Sequence, residues 1–239
     1  MNRICYSSEV YHLVVEDLEN LADSPLVPEH MPADEIILLI GRRRLWLNDI
    51  PIVPDTLLKG RQALAKAKAA GEAYVPVRVA FESRIKSYDI ISPMIRTLRY
   101  KYTLFSSNIY HINPQEIRAK KIERNYRTPE NAYCFSNPKY QMSEDERRQT
   151  YENLRQSMLQ NGFDDRFPLD IMLCRNMGVQ DTLNQGHHRM GVALECGIKR
   201  VAVEFCAAGQ APEFLHPLCR LIAGLNLKVK HFLTKLSRR

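Results

Sequence analysis

The residues best suited to chemistry in this 239-residue chain lie together at 184–197, in the sequence Asn-Gln-Gly-His-His-Arg-Met-Gly-Val-Ala-Leu-Glu-Cys-Gly. Gly186 precedes His187, His188 and Arg189. A glycine lets the backbone approach a ligand closely, and a helix beginning beside it presents N–H groups and a partial positive charge. The pattern is typical of a polyphosphate-binding turn. The alternative is a solvated His-His-Arg turn between glycines that only bound a helix.

The elements that must position this turn follow from periodicity and capping signals. Ser143 and Glu146 form a capping-box pattern, and Tyr151, Leu154 and Met158 are spaced for one helical face. Asn161-Gly162 predicts the end of that helix. The predicted order is a strand at 108–112, a short helix or turn at 115–123, a loop at 124–140, a helix from 143 to 161, a strand at 169–174, a hairpin with Asp181 in its turn, a strand at 182–185, the Gly186 turn, a helix and a strand at 201–205.

Residues 1–100 give weaker signals. An Ala/Leu/Lys-rich stretch predicts a helix over 55–70 with Gly71 as its stop, and alternation predicts a strand over 74–81. Gly60 precedes Gly71 by the same spacing that separates Gly186 from Gly197, and a Val-x-Val strand follows each pair. A degenerate internal copy without the histidines and a chance recurrence of a generic helix–Gly–strand unit both explain this. Otherwise the region is an accessory layer that packs on the core or shapes a pocket.

The segment 107–205 resembles the ParB/sulfiredoxin-like fold over about 100 residues. Phe167-Pro168-Leu169-Asp170-Ile171 is similar to its Pro-opened strand, and Gly186-His187-His188-Arg189 to its Gly-x-x-Arg phosphate turn. His187 stands where sulfiredoxins carry the catalytic Cys, so that reductase chemistry is not expected. The Glu and first Arg of the partition-protein turn are also absent. The Gly-His-His-Arg form is closest to the small-molecule kinase branch, which phosphorylates free serine.

The resemblance implies an α/β protein that uses ATP, or another NTP, with magnesium to phosphorylate a small hydroxyl-bearing molecule. It implies nucleotide binding by Gly186, His188 and Arg189. A rough alignment with the preceding helix adds three polar positions, which could also be an ordinary polar flank: Thr150, Asn153 and Ser157. The implied organisation is an accessory α/β region (1–100), a mixed-sheet nucleotide-binding domain (101–210) and a basic amphipathic helix (211–239).

The general base is the least defined part of this expectation. Phosphoryl transfer needs a group that accepts the substrate hydroxyl proton. The candidates are Glu123, in the loop after the first strand of the unit, Asp170, beside Pro168, and His187, which could shuttle a proton. Arg124 and Arg127 beside Glu123 could bind an anionic substrate. We expect no metal site built from a compact Cys/His cluster, because such spacing does not occur.

Composition limits the remaining choices. The net charge of +7 is compatible with nucleotides, nucleic acid or an anionic membrane. Six cysteines without a CxxC pair, and a start that lacks a signal-peptide pattern, favour a cytoplasmic protein with reduced thiols, and Cys196 is expected to pack in the core. No run is long enough for a spanning helix.

The last segment carries an apolar stripe of helical spacing between Leu218 and Leu236, with lysines and arginines off the stripe. It either packs on the domain or lies on an anionic membrane surface through 218–239. Two other functions therefore stay open. One is a non-enzymatic NTP-dependent switch or ParB-like DNA-associated regulator, and the other is a peripheral membrane protein of glycan or lipid precursor metabolism, on the inner face of a membrane.

Overall fold

The computed structural model describes residues 3–26, 35–41, 52–83, 104–122, 127–129, 131–132, 142–174 and 180–207. They form an α/β structure with one mixed sheet of ten strands. The strands are β1 (Arg3–Val14), β2 (Ala22–Asp23), β3 (Ile36–Leu39), β4 (Thr56–Lys59), β5 (Tyr74–Ser83), β6 (Leu104–Phe105), β7 (Tyr110–Ile112), β8 (Leu169–Cys174), β9 (Gln180–Gln185) and β10 (Val201–Ala207). The helices are α1 (Val15–Glu19), α2 (Arg61–Ala69), α3 (Pro114–Ala119), α4 (Glu144–Asn161) and α5 (His187–Glu195).

The sheet is built from two halves with the same topology. Its order is β2-β4-β3-β5-β1-β7-β10-β8-β9, and β6 pairs with β10. In the first half (residues 3–83), β3 is antiparallel to β4 and parallel to β5, and β5 is antiparallel to β1. In the second half (residues 104–207), β8 is antiparallel to β9 and parallel to β10, and β10 is antiparallel to β7. A pseudo-two-fold axis therefore passes between β1 and β7, where Leu13 pairs with Ile112.

Short sequence motifs recur at equivalent places in the two halves. The sequence Ser-Ser-x-x-Tyr-His occurs at 7–12, within β1, and again at 106–111, where it runs into β7. The sequence Asp-Thr-Leu-x-x-Gly occurs at 55–60 and at 181–186. In both halves the glycine adopts a left-handed conformation (φ 99° at Gly60 and 91° at Gly186) and begins a helix of nine residues. A second left-handed glycine follows each helix before the next strand. The arrangement is that of an internal duplication.

The two halves exchange hydrogen bonds through their buried aspartates. Asp55 of the first half accepts from the Tyr110 hydroxyl at 2.7 Å and from the Ser107 and Asn108 amides of the second half. Asp181 of the second half accepts from the Tyr11 hydroxyl at 2.8 Å and from the amides of residues 8 and 9. The Ser-Ser segment interrupts the pairing with the neighbouring strand and so turns two amides toward each carboxylate. The contacts are reciprocal, as a two-fold arrangement requires.

One hydrophobic cluster continues across both halves on the sheet face that carries the helices. It joins Leu64 and Ala67 of α2 to Met190, Val192 and Ala193 of α5 through alternate strand residues. The rings of Tyr11 and Tyr110 both contact Phe205 in this cluster, with centroids 5.2 and 5.9 Å away. In the first half the opposite face carries a smaller apolar cluster of Ile37, Leu39, Leu58 and Ala80. The continuous cluster holds the second half's helix against β8 and β10.

Most elements predicted between 107 and 205 are confirmed. The capping box is complete, with the Ser143 amide donating to Glu146 and the Glu146 amide donating to Ser143 Oγ. Tyr151 and Met158 are buried, α4 ends before Gly162, and Cys196 packs partly buried against the core. The helix after β7 is shorter than expected and ends at Ala119. The strand expected at 182–185 begins at Gln180.

Two local predictions are wrong. Residues 56–59 form strand β4 and not the first turn of a helix, because Gly60 reverses the backbone before α2 begins. Asp181 is not a hairpin-turn residue: it lies fully buried in β9, where it accepts the bonds from the first half. The amphipathic segment 211–239 lies outside the described residues. Within the described part of the chain, no helix is both long and apolar enough to span a membrane.

Candidate phosphate-binding site

The candidate site lies at the amino end of α5, where β9 meets the helix. Gly186 takes φ 91° and its carbonyl accepts the first intrahelical bond, from the Met190 amide at 2.8 Å. The amides of 187–189 therefore belong to the first turn, whose N–H groups point out of the amino end of the helix. A Cβ on Gly186 would lie 2.5 Å from Leu169 Cδ2 and 3.3 Å from Leu169 Cα. Both the backbone conformation and the close approach to β8 thus require glycine.

Arg189 folds back over this turn. Its Nη1 donates to the carbonyl of Pro168 at 3.0 Å. Its Nη2 lies 3.4 Å from the position that a Cβ would take on Gly186. The guanidinium is therefore held at the turn by the loop that precedes β8, and its planar array of donors matches the geometry of a phosphate.

Arg127 brings a further positive charge to the same place. Its carbonyl oxygen lies 2.6 Å from the position of a Cβ on Gly191, so the 127–129 segment packs directly against α5. The Nε–H of Arg127 is buried and has no hydrogen-bond acceptor among the described residues. A buried guanidinium donor of this kind favours an anion as its partner. We call Arg127 and the residues Gly186–Arg189 the Gly186 corner.

The electrostatics of His188 show how closely these cations are placed. Burial is the largest cause of a pKa for His188 of about 4, and the charges of Arg127, His187 and Arg189 contribute to the lowering in that order. His188 is half-buried and uncharged near neutral pH. A bound anion would oppose the three repulsive charges and raise the pKa again. The corner is therefore arranged to gain from negative charge.

The equivalent corner of the first half has a different composition. Arg61, Gln62 and Ala63 occupy the positions of His187, His188 and Arg189. The Arg61 guanidinium donates to the carbonyls of Leu21 and Glu19 and to the carboxylate of Asp23. This arginine ties α2 to the segment after α1. The histidines and the Arg189 guanidinium belong to the second half alone.

The structure separates Asp170 from the corner. Asp170 is buried and pairs in register with Gln185, next to Gly186. Its neighbours Leu169 and Ile171 belong to the cluster beneath α5, so the Asp170 side chain points to the opposite face of the sheet. It lies there beside the buried carboxylate of Glu204 on β10. This orientation argues against Asp170 as the general base at this corner.

The described contacts of α4 with α5 are at the carboxyl end of α5. The Tyr151 hydroxyl and Arg155 Nε both donate to Glu195, in the last turn of α5, at 3.0 Å. Glu195 is about 12 Å from the start of α5 at a rise of about 1.5 Å per residue. Thr150 and Asn153 are sequence neighbours of Tyr151 and Arg155, and Asn153 is exposed. Thr150 Oγ1 bonds the carbonyl of Glu146 instead. Ser157 is exposed two residues beyond Arg155.

Glu123 and Arg124 lie outside the described residues, but their neighbour Ile122 does not. The Leu183 amide donates to the Ile122 carbonyl at 3.0 Å, so the chain passes along β9 three residues before Gly186. It is described again at Arg127, beside α5. Sequence reasoning placed Arg127 next to Glu123 as a substrate-binding residue. Its packing against Gly191 and the effect of its charge on the pKa of His188, which no local pattern signals, bring it to the corner instead.

Other features of the described residues do not belong to this corner. A mostly apolar cavity of about 420 Å³ lies in the first half, between the carboxyl end of β3 and the start of β4, and includes Leu39, Gly41 and Pro54 in its lining. Within the described ranges, no group of three or more His, Cys, Asp or Glu side chains is arranged to hold a metal. The described side chains of the corner are arginines and histidines, which together with its backbone amides fit phosphate groups.

Comparison of the chain with protein-family models, with curated proteins and with solved structures found no match in any of the three.

Proposed function

We propose that the Gly186 corner binds the polyphosphate of a nucleoside triphosphate. The observation that supports this is the convergence of Arg127, His187, His188 and Arg189 on one helix amino terminus, which together with burial brings the pKa of His188 to about 4. Placing these four cationic or protonatable groups close together favours the binding of an anion. The first half has the same backbone turn without these side chains, so the turn alone does not require them.

The proposed activity is transfer of a phosphoryl group from this nucleotide to a small hydroxyl-bearing molecule. Such a transfer depends mainly on positioning and on positive charge against the phosphoryl oxygens. Arg189 would provide paired donors, the amides of 187–189 would hold one phosphate, and Arg127 would contribute its buried Nε–H. Because Asp170 faces away, Glu123 is the proposed base, next to the Ile122 carbonyl bound by β9.

The direct test is the affinity of purified full-length protein for ATP, measured by calorimetry for the native chain and for Arg189→Ala. Losing a charge-assisted contact should weaken binding by roughly 1.5–3 kcal/mol, about 10- to 150-fold. Arg148→Ala is the matched control, because it removes an exposed arginine paired only with Glu144 in the described structure. Its affinity should stay within about twofold of the native value.

Two results would contradict the proposal. One is the absence of ATP binding by the native chain at millimolar nucleotide, and the other is an equal loss in Arg189→Ala and Arg148→Ala. Transfer is tested separately with γ-labelled ATP and a panel of small alcohols, including hydroxyl-bearing amino acids. Native protein should transfer the label to one class of acceptor. Glu123→Gln should still bind ATP but should no longer transfer the label to that acceptor.

A further inference from the structure

His111 lies between two carboxylates from different parts of the chain. Its Nδ1 is 3.1 Å from both oxygens of Asp17 on α1, and its Nε2 is 3.0 Å from Asp165 in the loop before β8. The His111 amide also donates to Asp17 Oδ2 at 2.6 Å. Both ring nitrogens can donate to a carboxylate only when both carry a proton. The geometry is therefore that of an imidazolium bridging the first half to the loop.

The charges around His111 favour the protonated ring overall. The hydrogen bond to Asp17 is the largest influence and raises the pKa of His111. Burial lowers that pKa, the bond to Asp165 and the charge of Asp17 raise it, and the charge of Arg200 lowers it, leaving it above the ordinary value. Arg200, at the start of β10, lies 3.2 Å from Nδ1 and also faces Asp17 and Glu16.

The loop that Asp165 anchors also holds Arg189. It runs over 162–168 and is tightened by the Phe167 amide, which donates to the Asp164 carbonyl, and by Arg166, which donates twice to the Asp164 carboxylate. Three residues after Asp165, the carbonyl of Pro168 accepts from Arg189 Nη1. The Asp165 contact with His111 therefore fixes one end of a short, internally bonded turn whose other end orients the guanidinium.

The equivalent histidine has no such connection. His12 contacts Glu116 of α3 through Nδ1 at 3.0 Å and through its amide, as His111 contacts Asp17. The His12 side chain is 54% exposed against 12% for His111, and its Nε2 makes no carboxylate contact among the described residues. Glu116 is also paired with Lys120. The duplication thus supplies a matched histidine that is not linked to the Gly186 corner.

We propose that His111 is a positioning residue whose protonated ring holds the 162–168 loop, and through Pro168 the Arg189 guanidinium, in the arrangement that binds polyphosphate. The proposal rests on the proposed function. When the ring loses one of its two N–H protons, the remaining N–H stays bonded to Asp17. Asp17 also accepts the His111 amide and is mostly shielded from water. Asp165, which is 59% exposed, is then released to water. Polyphosphate affinity should therefore be highest below the folded pKa of His111 and fall as the pH rises through it.

The test is calorimetric titration of native protein, His111→Gln and His12→Gln with inorganic tripolyphosphate from pH 5.5 to 8.5. Comparing proteins at each pH cancels the titration of the ligand itself. Native protein should bind about two- to fivefold more tightly than His111→Gln at the acidic end, the range expected for an ion pair with an exposed partner, and equally at the alkaline end. His12→Gln should match native protein throughout. Asp165→Asn, a milder surface change, should reproduce the His111→Gln profile.

The outcomes separate the two proposals. If native protein fails to bind tripolyphosphate at every pH, the proposed function fails and this inference falls with it. If native protein binds, but its ratio to both His111→Gln and Asp165→Asn does not change with pH, the inference alone is refuted. An identical pH-dependent loss in His12→Gln would also refute it, because a general effect on stability would then be sufficient.

Discussion

The buried carboxylate of Asp55 provides the sharpest test of how the two halves are joined. Its Oδ1 accepts from the Gly41 and Ser107 amides at 2.7 and 2.9 Å, and its Oδ2 accepts from the Asn108 amide at 3.0 Å and the Tyr110 hydroxyl at 2.7 Å. Asp55→Asn replaces one acceptor oxygen by a donor. In one orientation the amide N–H₂ faces the Gly41 and Ser107 amides. In the other it faces the Asn108 amide and the Tyr110 hydroxyl, which can turn to accept.

The magnitude follows from the orientation that strands only the Asn108 amide. A buried donor that loses its acceptor costs about 1–3 kcal/mol. We expect a loss of about 2 kcal/mol, a large part of the roughly 5–15 kcal/mol that stabilises a typical domain. Tyr110→Phe removes a single hydroxyl from the same carboxylate and should cost about 1–1.5 kcal/mol.

Urea unfolding at pH 7, followed by circular dichroism, measures these losses. The double variant should lose less than the sum of the single losses, because Tyr110 no longer has a full acceptor once Asp55 is changed. Glu72→Gln, which removes a charge from an exposed turn, should stay within about 0.5 kcal/mol. A similar small change in Asp55→Asn would show that this junction does not hold the halves together.

Two further outcomes follow from the Gly186 corner. NMR titration should show that His188 stays neutral as the pH falls, until the pH approaches its pKa of about 4. The folded state should therefore lose stability relative to the unfolded state as the pH falls from about 6.5. Added tripolyphosphate should raise the pKa of His188. An unchanged pKa with bound ligand would place the ligand elsewhere. Gly191→Ala puts a Cβ 2.6 Å from the Arg127 carbonyl and should weaken ATP binding through displacement of Arg127, whereas Gly71→Ala, with open space around its Cβ, should leave ATP binding unchanged.

Local chemistry was enough to predict much of the second half. The Ser143 box, the glycines at 162, 186 and 197, and the alternation in β8 each act within a few residues, and each predicted element exists close to its expected place. The same reasoning failed at 56–59, where a helix-favouring composition continues through a short strand and a left-handed glycine. Four residues offer too little periodicity to distinguish strand from helix.

Long-range partners could not be predicted from the same signals. Aspartate is a residue type that is common in turns, but the partners of Asp181 are Ser8 and Tyr11 on β1, far away in sequence. Asp170 follows a proline near a strand start, and only the packing of its neighbours Leu169 and Ile171 beneath α5 shows that it faces the opposite side of the sheet. A signal for the junctions did exist. It is the recurrence of the Ser-Ser-x-x-Tyr-His and Asp-Thr-Leu-x-x-Gly sequences in the two halves.

Comparing the two halves also distinguishes residues that hold the fold together from residues that the fold does not require. Residues that the halves share, such as the aspartates at 55 and 181 and the tyrosines at 11 and 110, bond one half to the other and so serve the fold. Residues that differ at equivalent places in the two halves do not share such a contact between the halves. At the start of the Gly-bounded helix, Arg61 binds backbone carbonyls in the first half, while the second half carries histidines and an arginine held over the turn. The same turn forms with Arg61-Gln62-Ala63 at one corner, so it does not require His187-His188-Arg189 at the other, and this difference supports the proposal that those side chains bind a ligand.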